Sequence, residues 1–307
     1  MNRDEVVAAL VSAGFGAGWR AVRALPEPLA RAAFERLGEL SARRGGPGVR
    51  RLRANLARVV PSAGAAELDA LVRAGMRSYA RYWCEAFRLP SLDPAQVHRR
   101  MDPHVTGAGP ALDAVAAGRG VVFALPHSGN WDLAGVWMVE TLRRSGHEPV
   151  LTTVVERLRP ESLYRRFVAY RESLGFEVLA VDDAVGTHRA LTARLRAGGV
   201  ACLVSDRDLT AGGGIEVSFF GEATRFPAGP ARLASLTGAL LVPAFPRFTP
   251  DGWALPMAPP VPVAGRADVP AAMQAVADAF AGLIAAAPQD WHMLQPLWDA
   301  DRARVAA

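Results

Sequence analysis

The stretch GVVFALPHSGNWD, residues 120–132, runs from an apolar segment through a polar turn. GVVFALP, 120–126, reads as a short buried strand, and a helix follows from about Asp132 to Arg144. Between them PHSGNWD, Pro126 to Asp132, sets a histidine and an aspartate, with four residues between, at a strand end. Downstream the alternation repeats. PVLTTVV (149–155), FEVLAV (176–181), GVACLVSD (199–206), IEVSFFG (215–221) and ALLVPAFPRF (239–248) read as strands. Helices are expected over 160–174, which has proline at its start, over DAVGTHRALTARLRAG (183–198) and over GPARLASLTG (229–238). Strands alternating with helices predict an α/β fold, a mostly parallel or mixed central sheet flanked by helices. Such sheets bind ligands beyond the carboxyl ends of their strands. PHSGNWD and the SDRD of 205–208 both fall there, so they are expected to share one site.

The N-terminal third differs. LARAAFERLGELSARR (29–44), GVRRLRANLARVV (48–60) and ELDALVRAGMRSYARYWCEAFR (67–88) interleave apolar residues and arginines at helical spacing. The last carries Leu71, Met76, Tyr79, Tyr82, Trp83 and Phe87 near one face, which either packs on the core or lies on anionic lipid. Residues 1–100 hold 17 Arg against 9 Asp and Glu, and residues 101–307 hold 18 against 21. The basic third points to an anionic membrane surface, to a nucleic acid, or simply to solvated helix faces. All 35 basic residues are arginine, which codon bias explains, and each is a planar fork suited to phosphate and carboxylate.

With 50% hydrophobic and 21% charged residues the chain of 307 can build a large core, which excludes global disorder. No repeat or low-complexity linker divides it, and the Pro/Ala-rich piece 256–272 is too short to separate domains. Cys84 and Cys202 sit in apolar surroundings and read as reduced core residues; no cysteine pair has zinc spacing and no histidine cluster suggests a metal. The start has acids at Asp4 and Glu5 and glycines at 14 and 16, unlike a signal peptide. No run of about 18 apolar residues lacks charge. Membrane contact is therefore expected to be peripheral.

At the turn, His127 is placed to act as a general base, since imidazole ordinarily titrates at about 6.5. An aspartate on its other ring nitrogen fixes the tautomer and stabilises the imidazolium. Asp132, in the first helical turn, is the candidate, with helix capping as its structural alternative. Gly129 permits close backbone approach to a ligand. Backbone N–H groups around Ser128–Asn130 are candidate oxyanion donors. No G-x-S-x-G elbow is present, and Ser128 is a weak nucleophile because adjacent side chains diverge. A base without a protein nucleophile suggests that a substrate hydroxyl is activated.

The H-(x)4-D box HSGNWD resembles that of the glycerolipid and lysophospholipid acyltransferase superfamily. FFGEATRFPAGPARLASLTGALLVPAF (219–245) is similar to a block of the bacterial lipid A lauroyl-type acyltransferases. PQDWHMLQPLW (288–298), GWRAVRALPEP (18–28) and VAYRESLG (168–175) resemble the actinobacterial phosphatidylinositol mannoside acyltransferases. The resemblance spans about residues 15–300 and implies one acyltransferase domain over 1–307, with a helical, membrane-facing portion at 1–100 and an α/β catalytic portion at 101–300. It implies transfer of a long-chain, palmitoyl-type acyl group from acyl-CoA to a mannose hydroxyl of a phosphatidylinositol mannoside. The expected setting is the cytoplasmic face of the plasma membrane, with no cofactor beyond the donor substrate. His127 matches the family's base and Asp132 its charge-relay partner. Asp206 of SDRDL stands where a glutamate is expected, one methylene shorter. Glu156 and Arg171 match polar positions lining the headgroup region.

Among the remaining polar residues, Arg207 either pairs with Asp208 to shape the loop or binds substrate, and Arg225 either holds a phosphate or is solvated. His292 reads as packed rather than as a second base, Trp291 and Trp298 as anchors of the C-terminal segment, and His98, His104, His147 and His188 as structural or surface residues. Two other readings stay open: an acyltransferase for another lysolipid or glycolipid, and a lipid-surface binding protein without turnover. Nucleic-acid binding is a distant third, because the basic region carries no reading motif.

Overall fold

The computed structural model describes residues 22–156, 161–208 and 213–306. The acids and glycines of the first 21 residues, Pro160 at the expected helix start and Leu209 of SDRDL lie outside them. The N-terminal region is helical, with α1 (Glu27–Arg44), α2 (Pro47–Val59), α3 (Ala65–Arg88) and α4 (Pro94–Met101) in succession. Gly45, at φ +65°, stops α1 in the left-handed conformation that glycine adopts without strain. Helix α1 lies directly on α3: a Cβ on Gly38 would come within 2.5 Å of the Met76 carbonyl oxygen. On the aromatic face of 67–88, Met76 and Tyr82 are buried in the protein and Leu71, Tyr79, Trp83 and Phe87 are half-buried against it.

After the short strand β1 (Val105–Thr106) and helix α5 (Gly109–Ala116), the chain alternates. It runs β2 (Val121–Leu125), α6 (Trp131–Arg144), β3 (Leu151–Val155), α7 (Glu161–Ser173), β4 (Phe176–Ala180), α8 (Ala184–Arg196) and β5 (Val200–Val204). Then come β6 (Ile215–Phe219), β7 (Glu222–Phe226), α9 (Gly229–Thr237) and β8 (Leu240–Pro243), followed by β9 (Arg247–Phe248), β10 (Trp253–Pro256), α10 (Val269–Ala286) and α11 (Asp299–Ala306). Five of these strands form one sheet in the order β4-β3-β5-β2-β8, parallel throughout. The mostly parallel sheet flanked by helices is the architecture that the alternation predicted. All five residues of β2 are buried, as expected of a central strand covered on both faces. Its side chains alternate. Val122 and Ala124 join the core shared with α2, α8, α9 and α10, while Val121, Phe123 and Leu125 join the core under α4, α5 and α6.

The structure departs from the sequence expectation in three places. IEVSFFG is not a lone strand: β6 turns through Phe220 and Gly221, at φ +50° and +81°, and pairs with β7 as an antiparallel hairpin. Positive φ at both loop positions is what a tight two-residue hairpin requires. ALLVPAFPRF divides into β8 in the main sheet and β9 in a small sheet with β10 and β1, because Pro243 and Pro246 interrupt it. Finally, the segment Arg266–Ala286 has the length and the mean hydropathy, 1.5, of a membrane span. A criterion demanding a charge-free run overlooks it. Its inner face, including Met273, Val276, Phe280 and Ile284, is buried in the core, so in this fold it serves as a core helix.

Candidate active site

Strands β2 and β5 are adjacent and in equal register, with Leu125 opposite Val204. The ladder runs one step further, the Ser205 amide donating to the Leu125 carbonyl at 2.8 Å. Two residues beyond the paired ends stand His127 and Asp206, brought side by side although far apart in the chain. Asp206 Oδ1 lies 2.6 Å from His127 Nδ1, and Oδ2 accepts the His127 backbone amide at 3.0 Å. Oδ2 also accepts the Trp291 indole N–H at 3.0 Å. The carboxylate is wholly buried, while the His127 side chain is 33% exposed. Burial alone would raise the Asp206 pKa, but the charge of His127 and the hydrogen bonds from its ring, from Trp291 and from the His127 amide outweigh it. Asp206 is held below its ordinary value, hence ionised. A carboxylate on Nδ1 places the ring N–H there and leaves Nε2 as the acceptor.

The expected partner, Asp132, is elsewhere. Its carboxylate accepts Arg171 Nε at 2.7 Å and Nη2 at 3.1 Å, a bidentate pair with both side chains nearly buried. The helical step that puts Asp132 in the first turn of α6 aims it at α7 rather than back at the histidine. Burial opposes the Arg171 charge, and the field and hydrogen bonds of Asp132 more than offset that, keeping the guanidinium protonated above its usual range. Asp132 and Arg171 thus tie the helix behind His127 to α7. The structure assigns the Nδ1 position to Asp206, which sequence spacing assigned to Asp132.

The rest of the turn is engaged with the protein. Ser128 is buried and its hydroxyl donates to the Pro126 carbonyl at 3.4 Å. Gly129, at φ +48°, approaches the backbone of Pro246 and Arg247, and a Cβ there would come within 2.4 Å of the Pro246 oxygen. Its amide donates to the Asp290 carbonyl at 2.9 Å, which removes it from the candidate oxyanion donors. Asn130 caps α6, accepting from the Leu133 amide at 3.1 Å, and donates to Glu85 Oε2 at 2.7 Å. Glu85 also receives the Trp253 indole at 2.9 Å and Arg81 Nε at 2.8 Å. This hub on α3 had no signal in the sequence.

Arg207 borders the pair, its guanidinium reaching Gln295 and lying 3.9 Å from Glu156, which is exposed at the end of β3. Asp208 accepts the Gly214 amide at 2.9 Å. Arg225 lies on β7, bonded to Glu216 across the hairpin at 3.1 Å, so it pairs within the hairpin instead of reaching the His127 turn. His292 is buried, its Nε2 lies 2.8 Å from the Ser78 hydroxyl, and that hydroxyl donates to Asp290 at 2.6 Å. Burial, then the nearby His127, push the His292 pKa down to about 3, so it stays neutral and packed. Both cysteines are free; burial pushes the Cys84 thiol up to about 11 and the Cys202 thiol to about 12, so neither supplies a thiolate near neutrality.

The site is therefore an oriented imidazole at a strand end, with no side-chain nucleophile beside it among the described residues. Residues 3–300 match the family described as bacterial lipid A biosynthesis acyltransferase. The chain belongs to this acyltransferase family. Among curated relatives, the phosphatidylinositol mannoside acyltransferase of Mycolicibacterium smegmatis is 51% identical over 289 residues, 94% of this chain and 91% of its own. The protein of the same name from Mycobacterium tuberculosis strain H37Rv is 49% identical over 300 residues, 97% of this chain and 92% of its own. The acyltransferase assignment agrees with the resemblance drawn from HSGNWD and the FFG block.

Proposed function

We propose that this acyltransferase moves a long-chain acyl group from acyl-CoA to a mannose hydroxyl of a phosphatidylinositol mannoside, with His127 as general base. The observation that carries the reading is the His127 ring, oriented by buried Asp206 and reached by no hydrogen bond at Nε2 among the described residues. Nε2 accepts the proton of the acceptor hydroxyl as its oxygen attacks the thioester carbonyl. Asp206 stabilises the imidazolium, which returns the proton to the departing thiolate, so that one ester and one free thiol are formed. Positioning of two bound substrates is worth about 7–11 kcal/mol of barrier and the base about 10²–10⁴ in rate. A small apolar void lies beneath the end of β2, lined by Phe123, Leu125, Trp137, Met138, Cys202 and Met257, and would have to widen to take any part of an acyl chain. The names of the relatives support the mannolipid acceptor.

The membrane setting is part of the same proposal. Helix α1 turns Leu29, Leu37 and Leu40 to solvent, at 61%, 59% and 44% exposure, with Arg36 among them. An apolar stripe set with arginines suits an anionic lipid surface on the cytoplasmic side.

The test is release of free CoA from palmitoyl-CoA by the purified protein, with and without phosphatidylinositol dimannoside, and mass spectrometry of the lipid. Mannolipid-dependent release with a gain of one acyl group is expected, and a folded His127→Ala variant is expected to lose it. Transfer only to a lysophospholipid would replace the acceptor, binding to vesicles without release would replace the activity, and transfer by His127→Ala would remove the base.

A further inference from the structure

The C-terminal segment Asp290–His292 is joined to the turn after β2 through its backbone. The Gly129 amide donates to the Asp290 carbonyl at 2.9 Å and the His292 amide to the His127 carbonyl at 2.7 Å, with Ser128 opposite Trp291 between them. The residue at the centre of this clamp is wholly buried and turns its indole N–H to Asp206 Oδ2. That oxygen then has two N–H donors, the indole and the His127 amide, while Oδ1 is left to the His127 ring. Rotation about the last bond of an aspartate is soft, so the donors decide where its oxygens point.

We infer that Trp291 is a positioning residue of the reaction: its indole N–H fixes the Asp206 carboxylate so that Oδ1 stays aligned on His127 Nδ1 and Nε2 is presented to the acceptor. The inference rests on His127 being the base. The indole donor also draws off part of the carboxylate charge felt by the imidazole. Without it the carboxylate holds a proton on His127 more strongly, and the inactive imidazolium persists to higher pH. Among the described residues, the other charged or titratable groups near the pair include Arg207 beside Asp206, Glu156 facing Arg207, and His292 and Asp290 from the clamp. None of them donates to Asp206 among the described residues.

Trp291→Phe removes the N–H and keeps an aromatic ring. Trp298→Phe is the control, because Trp298 is equally buried but donates to a backbone carbonyl, that of Phe219, at 2.9 Å. Trp291→Phe is expected to lower kcat about tenfold or more, the loss of a hydrogen bond to a charged group, with KM for the mannolipid little changed. The acid limb of its rate profile and the His127 titration, followed by ¹⁵N-histidine NMR, should both move to higher pH. Trp298→Phe should lose stability without moving either. Should Trp291→Phe fail to fold, the benzothienylalanine replacement keeps the bicyclic shape without the donor and must show the same shift. Equal kcat loss with no shift in the two tryptophan variants overturns the inference while leaving the base intact. A folded His127→Ala that still transfers overturns the base reading on which it stands.

Discussion

A carboxylate's partner decides what it does, and here two aspartates divide the work. Asp206, held ionised against the cost of burial, serves the histidine, whereas Asp132 serves Arg171. Because Asp132 and Arg171 are both nearly buried, removing one strands the other's charge. Arg171→Met is expected to cost about 3–5 kcal/mol in urea denaturation, and the double change Asp132→Leu, Arg171→Met to recover most of it. A single variant as stable as the parent would refute that structural role. His292 gives the molecule a pH signature. Its pKa in the folded state is about 3, against about 6.5 unfolded. Only the unfolded chain takes up that proton below pH 6.5, so stability is complete above it and declines as pH falls toward 3. His98, also held below its ordinary value by burial, adds in the same direction. His292→Gln should flatten, though not abolish, the fall of Tm between about pH 6.5 and 5. The sequence marked His127, Asp132 and Asp206 as chemistry. It did not show which aspartate meets the histidine, since both lie near it in one sense, one along the chain and one across the sheet.

At the scale of elements, the turn between β2 and α6 depends on Gly129. Gly129→Ala would need both a left-handed backbone and a Cβ 2.4 Å from the Pro246 oxygen. The turn must shift, and with it His127; the variant is expected to lose most transfer while its CD spectrum remains that of a folded protein. Near-parental activity would mean that the turn tolerates movement. Helix α1 carries a separate prediction. Replacing Leu29 and Leu37 by glutamate should leave the unfolding free energy within about 0.5 kcal/mol of the parent yet sharply reduce co-sedimentation with vesicles rich in anionic lipid. Unchanged sedimentation would move the membrane contact off this helix. Elements with strong periodicity were legible: α1, α2, α3 and the strands β2, β3, β4 and β5 fall where the pattern puts them, while β8 takes only the first part of the run expected as one strand. The return strand β7 was not, because EATRF mixes Glu222, Thr224 and Arg225 with a single large apolar residue and lacks an apolar run. Nor was α10, whose alanines are apolar everywhere and give little contrast between faces.

At the scale of the whole molecule, the basic N-terminal third and the α/β remainder share one core, since Leu52 and Leu56 of α2 pack in the same cluster as β2 and α10. The site was legible as far as strand ends reveal it, through HSGNWD and SDRD. Its completion by Trp291 was not, because an indole's role as donor depends on a carboxylate 85 positions away. That distance has a consequence in time. A ribosome delivers this chain from its N terminus, and domains form as their parts emerge. The leucine face of α1 is made early, the histidine midway and the indole that seats its partner almost last. On the membrane reading, a growing chain acquires its adhesive surface long before it acquires turnover. On that same reading, a molecule interrupted between α1 and residue 291 would carry the adhesive face without the indole that seats Asp206.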